Sequence, residues 1–145
     1  MYLILLLFGG TILPNTAEAQ GQTEFWFVAP HMSETVAADI KLDRPTFIAL
    51  TNVSDATANV TIRLYNGGNT IDINRTIAPH AFYKHDFETE NDIRMTQNPR
   101  DSAGMVTTRG IQIISDVNIT AYYMHNHPAS RDIFILKGKQ AVGTS

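Results

Sequence analysis

Apolar and polar residues alternate with a period of two along most of this chain, and turn formers interrupt the pattern about every eight to twelve residues. Side chains of an extended strand point to its two faces in turn, so this pattern builds half-buried strands and gives a helix no continuous apolar stripe. The clearest instance is Ala58 to Tyr65 (ANVTIRLY), with Val60, Ile62 and Leu64 on one side and Asn59, Thr61 and Arg63 on the other. Asn66-Gly67-Gly68-Asn69 follows, and Ile71 to Ile77 alternates again. Residues that tolerate positive φ between two alternating runs predict a β-hairpin.

Further strands are expected at Thr23 to Ala29, Thr46 to Asn52, Ala81 to Phe87, Gly110 to Ser115, Val117 to Met124 and Asp132 to Leu136, with Asp116 dividing the two that flank it. Met32 to Arg44 reads as a polar connection, and Phe87 to Gly104 as a long surface loop with a short helical turn near Asp92 to Met95. No amphipathic helix of useful length is present. The expected fold is therefore all-β, an antiparallel β-sandwich of jelly-roll or Ig-like type with about eight strands.

Leu3 to Phe8 (LILLLF) is a compact apolar run, and Ala17-Glu18-Ala19 supplies the small residues of a signal-peptidase site. Residues 1–19 are read as a secretion signal, although no Lys or Arg precedes Leu3. That leaves residues 20–140 as the β-sandwich domain and 141–145 as the start of a linker to a further module. The leader is shorter than the ~20 apolar residues of a spanning helix, so no membrane span is expected in the mature chain. With no Cys, disulfides, thiolate metal sites and Cys nucleophiles are excluded. Fourteen acidic and 11 basic residues are spread along the chain for a net charge of −3, which leaves no basic stripe for nucleic acid.

Three stretches, Gly21 to Pro30 (GQTEFWFVAP), Ile119 to Tyr123 (ITAYY) and Asp132 to Ser145 (DIFILKGKQAVGTS), resemble the IgGFc-binding-protein N-terminal domain family. The form they resemble occurs in large secreted or surface proteins of gliding bacteria that carry a gliding-motility-associated C-terminal sorting domain. The specific motifs lie at the two ends of the mature chain. The resemblance implies an extracellular β-rich module at the start of a longer protein, with no catalytic residues to carry over. Its partners would be an extracellular protein or glycan and the downstream modules of the same chain. Where relatives follow the Tyr-Tyr pair with an acidic or small residue, this chain has Met124-His125-Asn126-His127.

Candidate chemistry is sparse. His125 and His127 share one face of an extended segment and would begin a Zn²⁺ site, but a site needs further ligands, and the spacing does not select His80, His85 or Asp86. They read instead as exposed histidines leading into Pro128. The series Asp86, Glu88, Glu90 and Asp92 offers oxygen ligands for Ca²⁺ without the order of an EF-hand, and reads as a solvated loop. Ser102, Ser115, His85 and Asp86 lack a Gly-x-Ser-x-Gly elbow, so no hydrolase is assigned. The Asn-x-Ser/Thr positions Asn52, Asn59, Asn74 and Asn118 read as polar residues of solvent faces.

Phe25, Trp26 and Phe27 admit two readings. In one, Phe25 and Phe27 fill the core while Trp26 packs under a loop; in the other, an exposed ring forms a platform for sugars. The leading expectation is a non-catalytic extracellular module for adhesion, binding or structure, with no cofactor and no metal. The alternative is a carbohydrate-recognition module, with calcium as a possible helper.

Overall fold

The computed structural model describes residues 21–29, 46–87, 108–127 and 130–138. The expected signal segment 1–19, the connection Met32 to Arg44, the loop from Glu88 to Gly104 and the linker 141–145 lie outside these residues. The strands are β1 (Gln22–Phe27), β2 (Thr46–Asn52), β3 (Ala58–Asn66), β4 (Asn69–Ile77), β5 (Phe82–Phe87), β6 (Arg109–His127) and β7 (Ser130–Ile135). They form one antiparallel sheet in the order β4-β3-β6-β2-β5, with β1 and β7 also paired to β6. The sheet curls into a half-barrel.

The hairpin β3–β4 forms as the sequence dictates. Asn66 pairs with Asn69 across a two-residue turn, in which Gly67 and Gly68 take φ of 62° and 116°. Positive φ at both central residues matches the right-handed twist of the strands, and glycine adopts it without steric cost.

At Asp116 the structure departs from the expectation. The two strands placed on either side of it are one strand of 19 residues, β6, so the described residues hold seven strands. Asp116 marks an exchange of partners, not an end. β3 pairs with β6 up to Ser115, and β2 takes over from Ile119. On the β1 side, Gln22 faces Ile119 while Glu24 faces Ile114, so β6 carries surplus residues through the same stretch. Extra residues in one strand bend it and increase its twist. The Asp116 carboxylate secures this bend by accepting from the Asn59 backbone N–H at 2.8 Å and from Asn59 Nδ2 at 2.7 Å.

One face of β1, β2, β3 and β6 points into a single core. Val60, Ile62 and Leu64 of β3 lie opposite Ser115, Ile113 and Ile111 of β6, and Phe25 of β1 lies opposite Ile113. Ile48 and Leu50 of β2 lie opposite Tyr123 and Ala121. All the apolar members of these pairs belong to one buried cluster, so both halves of β6 face the same interior.

Asn52 ends β2 inside that core with no exposed surface. Its Nδ2 donates to the carbonyls of Ala56, Ile77 and Ala78 at 2.8, 3.1 and 3.1 Å, and its Oδ1 accepts from the Ser54 N–H and hydroxyl. Asn52 is thus an internal clasp between the β2–β3 turn and the end of β4, and does not belong to a solvent face. Asn52→Ala strands those carbonyls and is expected to lower stability by about 2–3 kcal/mol in urea denaturation.

Asp116 gives a second prediction. Its two bonds from Asn59 hold the carboxyl below the ordinary 3.8. A depressed folded-state value contributes stability above the ordinary value, and this is lost as pH falls through the folded one. Asp116→Asn is expected to be less stable than the parent at neutral pH. The two urea midpoints should converge as pH drops below 3.8, because protonation removes the advantage of the carboxylate.

Candidate functional site

The outward face of β4, β3, the first half of β6 and β1 is ordered by side-chain contacts between strands. Trp26, Gln112, Arg63 and Asp72 form one continuous cross-strand row. Trp26 is 54% exposed, and its indole stacks on Tyr65 with ring centroids 5.6 Å apart and planes inclined by 24°. Its Nε1 donates to Glu24 Oε1 at 2.9 Å. Beneath the stack lies Gln112, only 8% exposed, which accepts from the Tyr65 hydroxyl at 2.8 Å and donates to the same Glu24 oxygen at 3.1 Å. Ring contact and hydrogen bonds together fix the indole in one orientation.

Beside the stack is a groove of about 400 Å³, lined by Trp26, Phe27, Val28, Tyr65, Thr108, Arg109 and Gly110. Gly110 lies directly across from Tyr65 and carries no side chain to fill the hollow. Away from the groove the surface becomes polar. Arg63 donates to both oxygens of Asp72 at 2.7 Å, and Thr61 donates to Asn74 at 2.8 Å. The guanidinium holds the Asp72 carboxyl below the ordinary carboxylate range, and Asp72, followed by Tyr65, holds Arg63 above its own. An exposed ion pair of this kind contributes little to stability, so its effect is to keep the face ordered and electrically balanced.

No family model matches the chain, and no curated protein matches it. Solved structures do match. The crystal structure of Thermotoga maritima 1070 has a TM-score of 0.49 and 12% identity, covering 82% of this chain and 96% of that one. The Anabaena sensory rhodopsin transducer has a TM-score of 0.43 and 18% identity, covering 71% of this chain and 93% of that one. At such scores and identities, neither says what this chain binds.

Of the aromatic trio, Phe25 is buried in the core, while Phe27 is half-buried with its ring 4.8 Å from Tyr123 and 6.3 Å from Phe134. Trp26 lies on the outer face against Tyr65, which corrects the expectation that it packs under a loop. His125 was expected in an exposed turn and is instead buried on β6, opposite Thr46 and Asp132. His127 ends β6, and its side chain lies outside the described residues. His85 meets the Phe87 ring edge-on at 5.0 Å, and His80 stands in the turn after β4, 2.9 Å from Asp55. Asp86 pairs with Lys84 at 2.6 Å; Glu88, Glu90, Asp92 and Ser102 lie outside the described residues. Ser115 is buried in β6, where its hydroxyl accepts from the Val117 N–H. Among the described residues no three His, Asp or Glu side chains converge as metal ligands, and no helix is long and apolar enough to cross a membrane.

Sequence reasoning missed Tyr65, Gln112 and Glu24. Parity held the signal: Tyr65 continues the outward series Asn59, Thr61, Arg63, and Trp26 stands between two inward phenylalanines.

Trp26 is the sole tryptophan, so its emission reports on this site alone. Tyr65→Ala removes a stacked ring contact worth about 1 kcal/mol. The expected result is a red-shifted emission maximum and stronger acrylamide quenching, with an unchanged far-ultraviolet spectrum.

Proposed function

We propose that this chain is a non-catalytic extracellular binding module and that it binds through the Trp26–Tyr65 face. The observation that carries the proposal is a large indole left 54% exposed yet held by a hydrogen bond and a ring stack. A ring already fixed in place loses little freedom when a ligand arrives. The charged groups nearby favour binding over catalysis. Arg63 and Asp72 neutralise each other, and Glu24 anchors the indole, an arrangement that orders a surface and activates no nucleophile.

The extracellular part of the proposal rests on the apolar run Leu3 to Phe8, on Ala17-Glu18-Ala19 and on the family resemblance. In the same reading, the two halves that share β6 serve as the two layers of an antiparallel sandwich. Adhesion is then the work of the outer face, with the core behind it as a rigid support.

The test is adsorption of the purified protein to a panel of immobilised extracellular polysaccharides and proteins. Trp26→Ala is expected to weaken the productive interaction at least about tenfold, because a central aromatic anchor commonly carries that much of a binding energy. Thr61→Ala, farther along the same face, is expected to bind like the parent. Equal binding by Trp26→Ala would overturn the assignment of the face. Turnover of an ester, glycoside or peptide, abolished by one substitution, would overturn the non-catalytic reading.

A further inference from the structure

We propose that the ligand of this face is an uncharged saccharide, with one pyranose ring lying against the Trp26 indole. The inference rests on the reading of the Trp26 face as a binding site and names the chemistry it takes. A pyranose presents a flat patch of weakly positive C–H groups surrounded by hydroxyls. Its complement is an electron-rich aromatic face with hydrogen-bonding groups fixed at the rim.

The described surface has that form. Trp26 supplies the exposed ring, and beside its N–H edge stands the Glu24 carboxylate at 2.9 Å, held from beneath at 3.1 Å by the buried Gln112 carboxamide, which also accepts from the Tyr65 hydroxyl at 2.8 Å. Farther along the same row, the Arg63–Asp72 pair keeps about a third of each side chain accessible, at 35% and 38%, and so offers donors and acceptors to a second sugar. These groups are positioned before any ligand arrives, which limits the ordering cost of binding.

Charge and shape narrow the occupant further. The guanidinium of Arg63 is neutralised by Asp72, and one further cation, Arg109, lines the adjoining groove, so the described residues of this face gather no cluster of cations to draw a phosphate or a polyanion. Peptides commonly join a β-protein by adding a strand at an open edge or by seating apolar anchors in a deep groove. Trp26 sits on β1, whose second edge carries only the Phe25–Gly138 bridge among the described residues, but its indole stands on the face of the sheet, stacked on Tyr65, and not in the hydrogen-bonding plane of that edge. Among the described residues, only Val28 besides it is a strongly exposed large apolar side chain on the β1–β6 side of that face. The adjoining groove of about 400 Å³ is within the range of small-molecule sites and would take a ring of a longer chain.

The experiment titrates the full chain with cello-, chito-, xylo- and manno-hexaoses while following Trp26 emission, and repeats the titrations by calorimetry. At least one series is expected to give a saturable emission change. Tyr65→Phe keeps the ring but removes the bond to Gln112, and is expected to raise that Kd by about three- to tenfold. Trp26→Ala is expected to abolish the calorimetric signal. If none of the four series changes the emission, the saccharide assignment is overturned. Should an immobilised protein still bind in a Trp26-dependent way, the face remains a binding site with a protein ligand. When neither sugars nor proteins bind through Trp26, both readings fall together.

Discussion

Everything in this sheet depends on β6 having both of its edges occupied along two separate stretches. Residues 111–114 pair with β1 and β3 at once, and residues 122–125 with β2 and β7. A buried strand must satisfy its N–H and C=O groups in both directions, and β6 does so with four neighbours where a shorter central strand would have two. Between the two pairings β6 carries surplus residues, which bend a strand. The change of partners between Ser115 and Ile119 lets it turn, and the Asp116–Asn59 bonds hold the turned segment against β3.

Parity in the sequence revealed most of the strands. Thr46 to Asn52 coincides with β2, and the β3–β4 hairpin follows from alternation and two glycines, since both are set by neighbours in the chain. The continuity of β6 was hidden because Asp116 is a turn former by local preference. Its carboxylate is bound by a residue 57 positions away, and no local pattern carries that information. His125 was misplaced for a related reason. Its polarity and the following Pro128 point to a turn, whereas pairing with Thr46 and Asp132 sets it on the inner face.

The candidate site was half legible. Alternation alone sends Trp26 outward when Phe25 and Phe27 turn inward. What makes it a platform is the register of three strands, which brings Glu24, Gln112 and Tyr65 around the indole from distant parts of the chain. The site also stays separate from the core. Its members point away from Ile62, Leu64, Ile111 and Ile113, so substitutions on the outside face leave the packed interior intact.

The position of β6 in the chain sets an order of assembly. Among the described residues β1 pairs with no strand but β6, so it stays without that partner until residue 109 and its successors have left the ribosome. Of the described strands, β3 with β4 and β2 with β5 can associate earlier, and each pair leaves its apolar side uncovered. Long-range pairings of this kind form slowly. The core around Phe25 and Ile113 therefore closes only once β6 is present to join the separate pairs.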